Sequence, residues 1–176
     1  AYYLIQTFFQ TIGNQAKAIA GYDSVLYTFD NRGNEVKRTT IPFDEYVVFK
    51  GYTIGPAGLD EQGKSNYTPG RVTRFLHADS FDVFTYRSGF TTERMDQYRN
   101  PNGAGYDREA INEANPQKII ILKDGKLVSN VSLLPEKISS LSASDRSGNI
   151  WATQNVNALD KEPEVVTIYK LRIVEN

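Results

Sequence analysis

The 176-residue sequence predicts an all-β fold, and three observations carry that prediction. Short runs of β-branched and aromatic residues recur along the chain, which is typical of strands. Polar turns that contain Asp, Asn and Gly separate these runs. Apolar residues at helical spacing are nearly absent, and the one short segment that shows this spacing covers residues 108–115.

The N-terminal part of the chain is predicted to form strands over residues 2–9 and 18–20, followed by a hairpin. In that hairpin, residues 25–29 enter a turn of sequence DNRGN, and residues 36–41 leave it. The turn lacks the alternating acidic ligands and the terminal Glu of a calcium loop. We therefore predict a turn that is closed by hydrogen bonds of its Asp side chain, and the same holds for DRSGN at residues 145–149.

Further strand pairs follow along the chain. The Asp124-Gly125 pair is a strong signal for a two-residue hairpin turn. Two polar stretches, residues 55–70 and 92–117, are longer than ordinary hairpin loops and are predicted to be surface insertions, with a lid or a binding rim as the alternative. The predicted strands cover residues 71–76 and 81–86, 119–122 and 127–133, 142–144 and 150–153, and 165–173.

The predicted strands group into a repeat. From Ile119 to Val165 the separation is 46 residues, which matches the length of a four-stranded β-propeller blade. We predict one propeller-like domain of about two and a half to three antiparallel blades, with approximate units at residues 1–45, 46–137 and 138–176. A β-sandwich or a barrel is the alternative, because both also contain short, regularly spaced strands.

The turn SDRSGNIWAT is similar to the inner hairpin of many propeller blades, and the ending NIWATQNVNALDKEPEVVTIYKLRIVEN resembles the last blade of six-bladed, TolB-like propellers. Those propellers occur among bacterial cell-envelope lipoproteins of unknown function. The resemblance covers most of the chain from about Asp23 onward and rests on hairpin motifs. It implies an extracytoplasmic location, at the periplasm or cell surface, with a lipid anchor upstream of this segment.

Closed propellers have roughly four to eight blades, so the chain is expected to be the C-terminal half of a larger, six-bladed propeller. An open half-propeller exposes strand edges and an apolar face. We therefore expect it to associate with a second copy or to pair with the N-terminal half.

Composition excludes several classes of partner. Lys and Arg (20) nearly balance Asp and Glu (21), so no net field attracts nucleic acid. No apolar run is long enough to span a membrane. The chain has no Cys and one His, which excludes disulfides, thiolate nucleophiles and His- or Cys-rich metal sites. We predict no cofactor and no metal.

Residues 71–108 have the most site-like composition, because six arginines, several tyrosines and the only His lie there. Arg pairs with carboxylates and phosphates, and Tyr stacks on sugar rings. Local salt bridges with the acidic residues of the same region are the alternative interpretation. His77 lies beside Asp79 at a predicted turn, and Arg71 and Arg74 cannot share a face of a straight strand because their spacing is odd. The predicted ligand-binding residues are Arg71, Arg74, His77, Tyr86, Arg87, Arg94 and Arg99.

The predicted function is a non-catalytic propeller module that binds a small ligand, a glycan or a protein through loops at one end of the channel. A His-Asp pair can act as a base, but no nucleophile motif accompanies His77, so no catalytic residue is assigned. A propeller hydrolase or lyase and a purely structural or assembly module are the alternatives, since propellers host all of these functions.

Overall fold

A computed structural model describes residues 6–49, 68–101, 105–159 and 163–174. In this part of the chain the secondary structure is mostly β-strand, arranged in three antiparallel sheets, which confirms the all-β prediction. None of the three sheets closes on itself among the described residues. Most of the predicted 55–70 insertion lies outside them.

The first sheet is a four-stranded meander. Its strands pair in chain order, with Phe8 opposite Ile19 in the first hairpin. Because side chains alternate along a strand, Phe8, Ile19 and Leu26 lie on one face and are buried, whereas Phe9 lies on the other and is 69% exposed. The strands are β1 (Thr7–Ile12), β2 (Gln15–Ala20), β3 (Val25–Phe29) and β4 (Glu35–Thr40).

The second sheet has five strands, and its predicted hairpin at Asp124-Gly125 is confirmed. The predicted strand over residues 127–133 is instead two short pieces that pair with opposite ends of the same neighbour. The strands are β5 (Arg71–Ala78), β6 (Phe81–Arg87), β7 (Lys118–Lys123), β8 (Lys126–Leu127) and β9 (Ser132–Leu133).

The third sheet has three strands among the described residues. Ile150 and Trp151 point to opposite faces, and only Ile150 is buried in a core. The strands are β10 (Ile138–Ser144), β11 (Asn149–Gln154) and β12 (Ile168–Arg172), with a short 3-10 helix over Val156–Ala158 between the last two.

Two short helices lie between β6 and β7: α1 (Thr92–Asp96) and α2 (Arg108–Ala114). The predicted helix over residues 108–115 is confirmed as α2, whereas α1 was not predicted. The Thr91 and Asp107 side chains cap the two helices by accepting a backbone N–H three residues on. The stretch also builds a small core of its own, formed by Phe90, Met95 and Ile111.

The second sheet lies between the other two. One face of its strands, including Phe75, Phe84 and Tyr86, packs on the first sheet. The opposite face, including Leu76 and Val83, packs on the third sheet. The first strands of the three sheets, β1, β5 and β10, are neighbours in space. The sheets therefore form a stack in which each first strand lies beside the first strand of the next sheet.

The hairpin turns after these first strands lie together at one end of the stack, which we call the turn end. A Cβ atom placed on Gly148 in the third sheet would lie 3.0 Å from the Cβ atom of Asp79 in the second. Gly148 also has a positive φ of 76°, a conformation that favours glycine. The β10–β11 turn therefore lies directly against the β5–β6 turn.

Candidate functional site

A cleft of about 670 Å³ opens at the turn end. All three sheets contribute to its walls: residues 10–13 from the first, His77 and Asp79 from the second, and residues 144–146 from the third. Ser144 donates a hydrogen bond of 2.6 Å to the backbone carbonyl of His77, which links β10 to β5 along the cleft wall. The cleft exists only because three separate hairpins converge.

A buried charge network lies behind the cleft. The Nδ1 atom of His77 is 2.8 Å from a carboxylate oxygen of Asp82, its direct cross-strand partner. Lys17 from the first sheet donates to both oxygens of that carboxylate, at 2.7 and 2.9 Å. Asp82 is 3% exposed, and the His77 and Lys17 side chains are 14% and 19% exposed. The network joins two sheets and orients the imidazole ring.

The Asp145 turn forms one rim of the cleft. One carboxylate oxygen of Asp145 accepts the backbone N–H groups of Ser147 and Asn149, and the Asn149 side chain donates to both oxygens. These hydrogen bonds, the Asn149 side chain first, hold the pKa of Asp145 below its ordinary value. Asp30 likewise accepts the backbone N–H groups of Arg32 and Asn34, and the Asn34 side chain donates to its other oxygen, so both predicted side-chain-closed turns are confirmed.

Two charged side chains of the cleft have no partner among the described residues. Asp79 has a positive φ of 57° at the tip of the β5–β6 turn, and Arg146 is exposed on the β10–β11 turn. The carboxylate and the guanidinium group therefore remain available to a ligand.

The predicted arginines of β5 and β6 have structural partners. A β-bulge between Val72 and Arg74 places Arg71 opposite Arg87, and Arg74 opposite Thr85, which is two positions earlier on β6. Arg71 and Arg74 therefore share a face, which corrects the expectation for a straight strand. Arg74 donates to the Ser142 carbonyl, and its Nε atom is buried without a partner among the described residues.

Arg87 lies at the opposite end of the second sheet from the cleft. Its guanidinium group donates to the backbone carbonyl of Asn115 at 2.6 Å. Burial, and secondarily the charge of Arg71, lowers the pKa of Arg87. Arg71 itself reaches the side chain of Gln6 at 3.4 Å. These arginines tie segments of the fold together.

The other predicted residues lie away from the turn end. Tyr86 is fully buried against the first sheet, its hydroxyl accepts the Asp44 backbone N–H, and burial raises its pKa. Arg99 packs on the Tyr106 ring. Arg94 packs over Phe90 and lines a second cleft of about 330 Å³ at the other end of the second sheet.

The cation beside Arg94 in the second cleft is already paired. Lys118 donates to Asp44 at 2.8 Å and to Glu45 at 3.4 Å. Burial lowers the pKa of Lys118, but these carboxylates outweigh that effect and raise it above the ordinary value. Of the seven predicted residues, only His77 lines the larger, turn-end cleft.

Sequence reasoning missed Lys17 and Asp82, although signals for both were present. A two-residue turn at Asp79-Ser80 fixes the register that pairs residue 77 with residue 82. Lys17 is two residues from the buried Ile19, so alternation places it on the same inward face. A charged residue on a core face indicates a buried partner.

Within the described ranges, no cluster of three or more His, Cys, Asp or Glu side chains could hold a metal ion. No helix among the described residues is long and apolar enough to cross a membrane. No protein-family model, curated protein or solved structure matches the chain.

Proposed function

We propose that this chain is a non-catalytic, propeller-like module of the TolB-like kind, located outside the cytoplasm, that binds a small ligand or a glycan at the turn end. The single observation that carries the ligand site is the 670 Å³ cleft to which the first hairpins of all three sheets contribute. Ligand sites are commonly concave and built where separate elements meet, with a few convergent polar groups.

Three features favour this cleft over the one beside Arg94. It is about twice as large, at 670 against 330 Å³. It holds unpaired charges at Asp79 and Arg146, whereas Lys118 in the other cleft is bound to two carboxylates. It also contains the oriented ring of His77. A ligand therefore gains more hydrogen bonds at the turn end.

A binding screen against glycans and metabolites, repeated with matched variants, tests the proposal. Arg146→Ala and Asp79→Asn each remove a charge from the cleft, and we expect each to weaken binding about tenfold, the worth of one charged hydrogen bond. Arg32→Ala is the control, because Arg32 occupies the equivalent kind of turn outside the cleft. Binding that is unchanged in both cleft variants, or lost in Arg94→Ala instead, contradicts the site.

We also propose that the outer faces of the stack pack on further blades, which a second copy supplies when this chain is alone in solution. The support is apolar exposure at both ends of the stack: Phe9 of the first sheet is 69% exposed and Ile168 of the third is 65% exposed. Each residue lies on the face opposite its sheet's core. Head-to-tail packing of two copies covers both outer faces of each copy when the pair closes into a ring.

Light scattering tests the association. The chain has a mass of 19.8 kDa, and we expect twice that mass for the wild type and the single mass for Phe9→Glu or Ile168→Glu. A wild type that stays at 19.8 kDa at high concentration contradicts the packing.

A further inference from the structure

Among the described residues that line the cleft, His77 is the one whose side chain is oriented by a buried charge. Resting on the proposed function, we infer that Nε2 of His77 accepts a hydrogen bond from a hydroxyl group of a neutral polyhydroxylated ligand, such as a sugar.

The proton of the ring is located by Asp82. An ionised carboxylate only accepts hydrogen bonds, and Lys17 donates to both of its oxygens, as expected for the ionised form. The 2.8 Å bond between Asp82 and Nδ1 of His77 therefore requires the proton on Nδ1. A carboxylate that accepts a hydrogen bond from the Nδ1–H group fixes both the tautomer and the orientation of the imidazole, as it does for histidines that bind metals.

The opposite edge of the ring is then an acceptor. In the neutral imidazole with a proton on Nδ1, Nε2 carries a lone pair. Lys17 pairs with the carboxylate of Asp82, so the tautomer with its proton on Nδ1 adds no further charge to the network. No described residue bonds Nε2, and His77 lines the cleft.

The neighbours of His77 specify the ligand class. The unpaired carboxylate of Asp79 adds acceptors, and the unpaired guanidinium of Arg146 adds donors. Hydroxyl groups both donate and accept, so a polyhydroxylated ligand matches His77, Asp79 and Arg146 together. A carboxylate ligand would match Arg146 alone, and a primary amine would leave Arg146 without a partner.

The first experiment measures the tautomer in the protein without ligand. Because the chain contains one His, a ¹⁵N–¹H spectrum of the imidazole has a single spin system to assign. We expect the proton on Nδ1 in the neutral ring. A proton on Nε2, or an averaged mixture of tautomers, overturns the inference about His77 and leaves the proposed cleft unaffected.

The second experiment adds probes to the same sample. We use neutral glucose, galactose and mannose oligosaccharides at millimolar concentration, with glucosamine and glucuronate as charged counterparts. We expect a neutral sugar to shift the Nε2 resonance, with the charged counterparts binding more weakly. No shift with any neutral sugar, or a stronger response to a charged counterpart, overturns the ligand class.

A pair of substitutions separates the role of Nε2 from that of the network. In His77→Asn the side-chain amide keeps a donor for Asp82 but no acceptor at the position of Nε2. In His77→Gln the longer side chain carries an amide oxygen to about that position. We expect His77→Asn to lose at least tenfold in affinity for the sugar that shifts Nε2, and His77→Gln to retain more.

The outcomes distinguish failure of the inference from failure of the cleft. Equal loss in His77→Asn and His77→Gln assigns His77 a structural role and overturns the inference, provided that both variants unfold at the same urea concentration as the wild type. A sugar whose affinity falls in Arg146→Ala but not in His77→Asn overturns the inference while retaining the cleft. A sugar whose affinity is unaffected by all three changes contradicts both.

Discussion

The buried charge network predicts a large stability loss when its cation is removed. Lys17→Met replaces the ammonium group with a thioether of similar length, so the packing of the chain stem is largely kept. Asp82, which is 3% exposed, then has His77 as its only side-chain partner among the described residues. The variant thus tests whether the carboxylate depends on Lys17 from the neighbouring sheet.

The size of the loss follows from the burial of the two partners. Removing one partner of a buried ion pair costs about 3–5 kcal/mol, because the remaining charge is left uncompensated. Lys17 is 19% exposed and His77 still donates to Asp82, so we expect about 2–3 kcal/mol. With a urea m-value of about 2 kcal/mol/M, the midpoint falls by about 1–1.5 M.

Urea unfolding followed by fluorescence of Trp151, the only Trp in the chain, measures this loss. Lys37→Met is the matched control, because Lys37 is an exposed cation of the first sheet, and we expect a change within about 0.5 kcal/mol. Lys17→Met/Asp82→Leu should recover most of the loss, since an apolar pair can replace a buried ion pair. A Lys17→Met midpoint equal to that of Lys37→Met refutes the reasoning.

Two further predictions concern turns and backbone contacts. The pKa of Asp145 is lowered in the folded state, so its contribution to stability is complete above the ordinary value of 3.8 and is lost as the pH falls below it. We expect the free energy of unfolding to fall more steeply with acid in the wild type than in Asp145→Ala. Equal pH profiles of the two proteins would contradict this prediction. We expect Gly89→Ala to lower the melting temperature more than Gly33→Ala does. Both glycines have φ near +81°, but only at Gly89 would a Cβ atom clash with backbone, at the Thr68 carbonyl, so equal losses of stability would disprove the close contact.

Three hairpins of the fold were predictable because turn chemistry is local. Asp124-Gly125 and the DNRGN and DRSGN turns specify their hairpins through φ requirements and through side-chain bonds within five residues. Helix α2 was predictable from its apolar spacing, whereas α1 has five residues and buries only Met95, too little for a periodic signal. The stacking of three sheets depends on long-range packing that no single segment encodes.

The candidate site was predicted in part, and the differences have physical reasons. His77 was identified, but its carboxylate partner is Asp82 across the strand pair and not the adjacent Asp79, because register decides which side chains meet. The β-bulge at Val72–Arg74 changed which arginines share a face, and alternation alone does not predict a bulge. Arg146 belongs to a distant segment that the fold brings to the same cleft.

The location of the ligand site is tested most directly by amide chemical-shift mapping with a ligand from the screen. The cleft predicts perturbations in three separate segments at once: residues 10–13, residues 77–79 and residues 144–146. Perturbations confined to the second sheet's other end, around Arg94 and Lys118, would contradict a binding site at the turn end.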